Sequence, residues 1–186
     1  MPRIDAVNKT AANAHARALL EGVEKKLGTI PNLLKTMANS PAALEAYLGF
    51  SGALAKGALP AKLREQIALV VGETNDCQYC LAAHAALGRM AGLSDEEIAD
   101  SRRAASSDSK TEAALTFARK VVAERGRVDD ADVDHLRRAG FDDGAIAELV
   151  ANVALNLFTN YFNHVVDTEV DFPKAPALKT QPACAC

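Results

Sequence analysis

Two cysteines and a histidine near the middle of the chain have the spacing that thiol chemistry needs. Cys77, Cys80 and His84 are three and four residues apart, and positions three and four apart are neighbours on an α-helix. The three side chains therefore share one helical face, with the two sulfurs close enough to bond and the imidazole beside the second. This pattern indicates redox chemistry at both cysteines. The alternative is that they are small buried hydrophobic residues, since free cysteine packs well in cores.

The reactive form of cysteine is the thiolate, and a free thiol with a pKa of about 8.5 is only slightly ionised at neutral pH. A helix N-terminus carries unpaired N–H groups and a partial positive charge, which favour a thiolate at Cys77 and, less strongly, at Cys80. His84 can accept the Cys80 proton as a general base or stabilise the thiolate as an imidazolium. Both effects would increase the thiolate fraction of the pair.

A histidine that exchanges protons usually has a partner that orients it, and two acidic residues, Glu65 and Glu73, lie upstream. Glu65 falls within an apolar helical stretch beside positions expected to be buried, whereas Glu73 lies near the helix end. A carboxylate in the first setting more often faces a site, so we favour Glu65. The alternative for Glu65 is a surface ion pair with a residue such as Lys62.

Zinc binding is the main chemical alternative to redox function. Cys77, Cys80 and His84 are acceptable zinc ligands, and Cys184 or Cys186 could supply a fourth. Three ligands from two turns of one helix make an unusual cage, and no second Cys-x-x-Cys or histidine pair has finger spacing. We therefore predict no metal and no cofactor, and we expect the two C-terminal cysteines to be incidental.

The remainder of the chain predicts an all-α fold. Its 186 residues suit one domain with a core that needs no disulfide. Glycine, proline and capping residues mark the helix ends. Ser40 caps a helix that Pro41 begins, Asn75 and Asp76 end one helix and cap the next, and Ser94 and Glu97 form a capping box. Leu63, Ile67 and Val70 mark an apolar helical face, and the polar residues 101–109 predict a loop. Together these features predict helices over residues 10–27, after 31, from 41 to about 56, from about 60, from 77 to about 90, after 94, and over 110–125, 130–139 and 143 to about 167. The helix pairs ending in His84 and in His164 could be two copies of one unit. Residues 1–172 are the predicted helical domain, and residues 173–186 the predicted extended or disordered tail.

Charge and hydropathy patterns argue against several function classes. The formal net charge is −3, and the basic residues come in pairs rather than stripes, so we predict no nucleic-acid or membrane partner. The first residues lack the apolar core of a signal peptide. The most apolar late segment, residues 145–162, is interrupted by Glu148 and three asparagines, unlike a membrane span. We therefore expect a cytoplasmic protein, where paired cysteines rarely serve as structural staples.

Glu65, Cys77-x-x-Cys80 and His84 together resemble the signature of the alkylhydroperoxidase D (AhpD-like) group of the carboxymuconolactone decarboxylase superfamily. The similarity to the peroxidase-related branch of that group covers residues 4–173. It is carried by the segments at residues 28–34, 40–41, 59–65, 160–163 and 171–173. The resemblance implies an all-α, AhpD-like bundle that forms a homo-oligomer, either a trimer or a hexamer. True carboxymuconolactone decarboxylases lack the cysteine pair, so we do not expect decarboxylation.

The resemblance also implies a reaction, the reduction of hydroperoxides in antioxidant defence. Cys80 would attack the peroxide and become a sulfenic acid, Cys77 would donate a proton and then close the disulfide, and Glu65 and His84 would relay protons. A dithiol or a thiol protein would be the reductant. Founding members often have a histidine where this chain has Tyr79, which we expect to be a packing residue. Two other functions stay open, a redox-sensing or structural helical oligomer without turnover and a protein thiol–disulfide exchange factor.

Overall fold

The chain folds into an all-α bundle, as the sequence predicts. A computed structural model describes residues 1–178, and within this range there are nine α-helices and no strand. They are α1 (Ala14–Leu27), α2 (Asn32–Met37), α3 (Pro41–Leu54), α4 (Ala61–Thr74), α5 (Gln78–Met90), α6 (Asp95–Arg102), α7 (Ser109–Ala123), α8 (Asp130–Arg138) and α9 (Asp143–Val166).

Helix α4 lies at the centre of the bundle and packs against α5, α6, α7 and α9. Its predicted apolar face, which includes Leu63, Ile67 and Val70, is buried against α7 and α9. Leu69 is also fully buried, and it packs with Leu81 of α5 and other residues of α5 and α6. Residues 66–72 of α4 are all buried, so this stretch is covered by the protein on every side. The rest of the bundle therefore assembles around α4.

A second cluster joins α1, α2 and α3 to the start of α5. Leu20, Met37 and Leu44 supply much of its apolar volume. Cys77 and Cys80 belong to the same cluster. The cysteine pair therefore lies at the junction between the three N-terminal helices and the central layer.

Most helix boundaries agree with the predicted ones, and the differences have local causes. Helix α1 begins later than predicted because the Asn13 side chain accepts the Ala16 N–H and so caps the helix there. Helix α6 continues beyond Ser101, where a loop was predicted, since the buried Ser101 hydroxyl donates to the Glu97 carbonyl within the helix. The capping box predicted at Ser94 and Glu97 is present.

Helix α9 has 24 residues and contacts α3, α4, α5, α7 and α8. The asparagines that interrupt its apolar sequence are buried and face the bundle. Within residues 1–178, no helix has the length and apolar character needed to cross a membrane.

After α9 the chain folds back over the N-terminal helices. Asp167 ends α9 in a left-handed conformation, with a φ of 55°, and the following segment reaches Asn32 and Tyr79 through Asp171. Residues 173–178 have no regular secondary structure, and Ala175 packs against the cluster shared by α4, α5 and α6. The predicted domain boundary at residue 172 stays a prediction, and Cys184 and Cys186 lie outside the described residues.

The position of Leu149 at the centre of the bundle gives a test of this packing. Leu149 is fully buried against α4 and α7, so Leu149→Ala should lower the free energy of unfolding by about 2–5 kcal/mol. The neighbouring Val150 is 43% exposed, and Val150→Ala should change it by less than about 0.5 kcal/mol. Urea unfolding followed by circular dichroism measures both, because the chain has no tryptophan. Equal effects of the two changes would contradict this packing.

Candidate redox site

Helix α5 begins at the first cysteine of the pair. Cys77 is the N-cap residue, and its Sγ accepts the N–H of Cys80 at 3.3 Å. We expected Asn75 and Asp76 to cap this helix, and that expectation is wrong. Asn75 ends α4, and Asp76 turns the chain in a left-handed conformation with a φ of 52°. The turn leaves Cys77 extended at the positive end of the α5 dipole.

Cys77 and Cys80 are joined by a disulfide, and their Cα atoms are 5.3 Å apart. Both residues are buried, with 1% and 2% of their surfaces exposed. The helical spacing therefore brings the two sulfurs together, as expected. Burial alone would also suit a packing role, so the surroundings of the sulfurs decide what they can do.

Glu65 on α4 and His84 on α5 are joined by a hydrogen bond between their side chains. Glu65 Oε2 lies 2.7 Å from His84 Nδ1, and the two side chains are 22% and 20% exposed. A carboxylate can only accept a hydrogen bond, so Nδ1 of His84 carries the proton in this contact. Nε2 is left as the ring nitrogen that can exchange a proton with another group. The pair joins the two central helices beside the disulfide.

The alternatives for the acidic partner are excluded by their own contacts. Glu73 accepts a hydrogen bond from Arg102 at 2.7 Å, on the side of α4 that faces α6. Lys62, the suggested surface partner of Glu65, instead pairs with Glu97 at 2.6 Å. Of the two upstream carboxylates, Glu65 is therefore the one that contacts His84.

A cavity of about 220 Å³ opens beside the disulfide. Cys80 and His84 line it, whereas Cys77 does not. The rest of its wall is mostly apolar, and is formed by Leu27, Pro31, Leu33, Leu34, Tyr47, Tyr79, Ala83, Leu87, Met90 and Phe172 together with Thr29, Thr159 and Asn163. We call this space the thiol cavity. Its walls suit an apolar molecule that approaches Cys80.

A second cavity, of about 230 Å³, is also lined by His84. Its walls are more polar, and include Arg64, Glu65, Asn152 and Asn156. His84 and Tyr47 line both cavities. Burial raises the pKa of Tyr47 to about 12, and the charge of Glu65 adds to this increase. Tyr47 therefore keeps its proton at neutral pH, and His84 is the titratable group between the two spaces.

Histidines and cysteines elsewhere do not join this site within the described residues. His164 is exposed on α9, and His15 of α1 pairs with Glu45 at 3.4 Å on the surface. Among residues 1–178, no three His, Cys, Asp or Glu side chains are grouped so that they could hold a metal ion. The fourth zinc ligand that we considered, Cys184 or Cys186, lies outside this range.

Comparisons with known proteins agree with this geometry. The family model of the carboxymuconolactone decarboxylase family matches residues 41–124, which include the cysteine pair, Glu65 and His84. A solved peroxidase-related protein from Ralstonia eutropha JMP134, described as an alkylhydroperoxidase AhpD core, is 26% identical with a TM-score of 0.83, and the match covers 91% of this chain and 92% of that one. This chain has the AhpD-like fold, and its residues 41–124 resemble the carboxymuconolactone decarboxylase family.

Two further structures show how widely the AhpD-like fold is used. A peroxidase-related protein from Silicibacter sp. TM1040 is 26% identical with a TM-score of 0.79, over 90% of this chain and 91% of that chain. The debrominase Bmp8, solved in complex with 2,3,4-tribromopyrrole, is 22% identical with a TM-score of 0.78, over the same shares of 90% and 91%. Among curated proteins, none matches the sequence significantly. The AhpD-like fold therefore occurs both in proteins described as peroxidase-related and in a debrominase.

Tyr79, which stands in this AhpD-like chain where founding members often have a histidine, is tied into the cavity wall. Its hydroxyl donates to Asp171 Oδ1 at 2.9 Å and accepts the Leu33 N–H at 3.1 Å. Phe172 packs edge-on against its ring, with centroids 5.9 Å apart. Burial is the largest cause that raises the pKa of Tyr79 above its ordinary value. Tyr79 therefore stays protonated and acts as a wall residue.

Sequence reasoning missed Asn163, which contacts the disulfide from α9. Its Nδ2 donates to Cys80 Sγ at 3.3 Å and lies 4.0 Å from Cys77 Sγ. A signal was present in the sequence, because asparagines recur along α9 at helical spacing. Asn152, Asn156, Asn160 and Asn163 are all buried, and buried amides must find partners. We had used three of them only to exclude a membrane span.

Asp171 is the second residue that sequence reasoning missed, and it offers a test of the cavity wall. It accepts from both Tyr79 and the Asn32 N–H, the latter at 2.7 Å. Asp171→Ala should lower the free energy of unfolding by about 1–3 kcal/mol, since a buried hydroxyl loses its acceptor. Glu169→Ala, an exposed neighbour, should change it by less than about 0.5 kcal/mol. Urea unfolding followed by circular dichroism compares the two. A loss no larger for Asp171→Ala than for Glu169→Ala would mean that this contact contributes little.

Proposed function

We propose that this AhpD-like protein is a thiol-dependent hydroperoxide reductase that acts in antioxidant defence. The observation that carries the proposal is the Cys77–Cys80 disulfide, of which only the Cys80 half lines the thiol cavity. A substrate in that cavity meets Cys80 first, so Cys80 is the attacking thiol. Cys77, one helical turn away and shielded from the cavity, is the resolving thiol.

The cycle that we propose balances with two thiols and one hydroperoxide. The Cys80 thiolate attacks the terminal peroxide oxygen, the S–O bond forms, the O–O bond breaks, and the leaving alkoxide takes a proton and departs as an alcohol. Cys80 is then a sulfenic acid. The sulfur of Cys77 attacks it, the S–S bond forms, the S–O bond breaks, and the hydroxide takes a proton and leaves as water. An external dithiol reduces the disulfide by exchange.

In this cycle the Glu65–His84 pair moves the protons. His84 takes the Cys80 proton when the thiolate forms, and it can return a proton to the leaving oxygen. Glu65 holds Nδ1 and stabilises the imidazolium, which keeps Nε2 available for exchange. The second cavity supports this role, because both His84 and Glu65 line it and its other walls include polar side chains that can pass protons to the pair.

The proposal includes the partners of the reaction. An apolar organic hydroperoxide fits the walls of the thiol cavity better than a small polar peroxide, and a dithiol or thiol protein in the cytoplasm would serve as reductant. We also propose a homo-oligomer, a trimer or a hexamer. Exposed apolar side chains at helical spacing along α9 support it, namely Phe158, Tyr161 and Val165.

Turnover with defined substrates tests the proposal. The purified protein is mixed with dithiothreitol and with cumene hydroperoxide or hydrogen peroxide, and peroxide loss is followed together with the disulfide state. We expect catalytic consumption of peroxide, faster with cumene hydroperoxide. Reversible disulfide formation without turnover would favour a redox sensor or structural oligomer, and reduction of a protein disulfide alone would favour an exchange factor. Bromide release from 2,3,4-tribromopyrrole, measured in parallel, would favour a dehalogenase.

A further inference from the structure

Asn163 is the polar side chain that α9 places against both sulfurs. It is 5% exposed, and its Nδ2 donates to Cys80 Sγ at 3.3 Å. The contact spans 83 residues of sequence, so the packing of α9 against α5 creates it. A neutral disulfide sulfur is a weak acceptor, whereas a thiolate accepts strongly. The contact therefore becomes stronger when the pair is reduced and Cys80 is ionised.

The two sulfurs compete for the negative charge in the reduced protein. Cys77 occupies the N-cap of α5 and accepts the Cys80 N–H, and both features stabilise a thiolate at Cys77. Only Cys80, however, lines the thiol cavity. A charge held at Cys77 would be shielded from substrate, so the reaction needs a group that favours ionisation of Cys80 instead.

We propose that Asn163 is this group: its Nδ2 donates to the Cys80 thiolate and so places the reactive charge on the sulfur that faces the cavity. The inference rests on the proposed function, in which Cys80 attacks the peroxide. The Asn163 side chain forms no covalent bond and transfers no proton in the cycle. It contacts the reacting sulfur before the attack and releases part of that contact when the thiolate becomes a sulfenic acid.

The other end of the same amide supports this assignment. Asn163 Oδ1 is buried and accepts no hydrogen bond within residues 1–178. Reduction creates a donor next to this side chain, the S–H of Cys77, and we expect Oδ1 to accept it. One amide would then donate to the charged sulfur and accept from the neutral one. This arrangement keeps the proton on Cys77 until the leaving oxygen or the resolving step requires it.

Other groups around the cavity also affect the ionisation of Cys80. The titratable or charged side chains that face it or contact its walls are Tyr47 from α3, Glu65 from α4, Cys77, Tyr79 and His84 at or in α5, and Asp171 from the C-terminal segment. Asn163 differs from all of them because its amide does not titrate. A change at Asn163 therefore reports a hydrogen bond to sulfur and leaves the titrating groups in place.

Two variants of Asn163 and one matched control test the proposal. Asn163→Leu keeps a similar volume without the donor, and Asn163→Asp keeps the shape but replaces the donor with an acceptor. Asn160→Ala is the control, because Asn160 is buried on the same helix and bonds Asn75 at 2.9 Å rather than a sulfur. Asn75 retains its bond to Val71 in that variant. Circular dichroism establishes that each variant is folded.

The measurement is the pH dependence of iodoacetamide alkylation in the reduced full chain. Tandem mass spectrometry separates Cys80 from Cys77 within the tryptic peptide of residues 65–89. A hydrogen bond to a charged group is worth about one pKa unit or more. In Asn163→Leu we expect the midpoint for Cys80 to rise by about one pH unit, and kcat/KM for cumene hydroperoxide at pH 7 to fall about tenfold. Asn163→Asp should shift the midpoint at least as far, and Asn160→Ala should not move it.

The outcomes separate this inference from the proposed function. An unmoved midpoint in both folded Asn163 variants overturns the assignment, even if the wild-type protein turns over hydroperoxide. The midpoint could also shift in the Asn163 variants while the wild-type protein consumes no hydroperoxide. That result would support the role of Asn163 and remove the peroxidase function. An equal shift in Asn160→Ala would also overturn the assignment, because the effect would then come from loosened packing of α9.

Discussion

Cys80→Ser should abolish hydroperoxide turnover, with a loss of roughly 10³-fold or more, and it should also remove the sulfenic acid intermediate. A serine hydroxyl is a far weaker nucleophile than a thiolate, and among residues 1–178 no other cysteine lines the thiol cavity. The substitution is nearly isosteric, so the fold and the cavity should be retained. A loss of turnover would therefore show that the reaction needs the Cys80 thiol, and it would not be explained by unfolding.

Cys77→Ser should stop turnover at a different step. Cys80 can still attack one equivalent of peroxide, because its place in the cavity wall is unchanged, but residues 1–178 then contain no second cysteine to resolve the sulfenic acid. We expect a single turnover, followed by accumulation of a sulfenic acid that dimedone traps on Cys80.

The measurements are steady-state and single-turnover peroxide consumption, together with mass spectrometry of the dimedone adduct. A double variant, Cys184→Ser with Cys186→Ser, makes the same chemical change outside the described residues and should turn over at the wild-type rate. Trapping on Cys77 instead of Cys80 would reverse the two roles. Full activity of Cys80→Ser would end the proposal.

His84→Ala should lower kcat/KM at neutral pH by about 10²–10⁴-fold, the usual contribution of a general acid or base. It should also move the alkylation profile of Cys80 to higher pH, because the thiolate loses both a proton acceptor and a neighbouring cation. Glu65→Gln should slow turnover less, since an amide can still orient the ring but cannot stabilise the imidazolium. Neither change should unfold the protein.

Each of these variants has a matched control. His164→Ala removes an exposed imidazole from α9, and Glu73→Gln changes a carboxylate that sits on the same helix as Glu65 but bonds Arg102. Both controls should turn over at rates close to the wild-type rate. The pH–rate profile distinguishes a proton-relay role from a packing role. If His84→Ala left both turnover and the alkylation profile unchanged, His84 would have no part in the mechanism, and a wild-type rate for Glu65→Gln would remove Glu65.

Much of the local structure was predictable because its causes are local. Ser94 and Glu97 form the expected capping box, and Pro41 begins α3 after the Ser40 cap. Helical spacing by itself brought Cys77 and Cys80 to bonding distance. These features depend on residues within one or two turns of each other, and such interactions can be read from the order of residues alone.

The acidic partner of His84 was also predictable, for a less local reason. Glu65 is a charged residue within an apolar helix, and burying a carboxylate is costly unless it has a partner. The sequence therefore favoured Glu65 over Glu73 as the carboxylate that faces the site. That the partner is His84 depends on the packing of α4 against α5, which follows from the turn at Asp76.

Only the tertiary structure decided which sulfur faces a substrate and what surrounds it. The spacing of Cys77, Cys80 and His84 does not show which sulfur a substrate can reach, and the packing of α2, α3 and the C-terminal segment forms a cavity next to Cys80 alone. Asn163 and Asp171 reach the site from 83 and 92 residues away along the chain. Helix periodicity shows which face of a helix is buried, but it does not specify which distant element covers that face. The residue types and spacing thus determined the chemistry available to this protein, and the packing of its helices determined where that chemistry can take place.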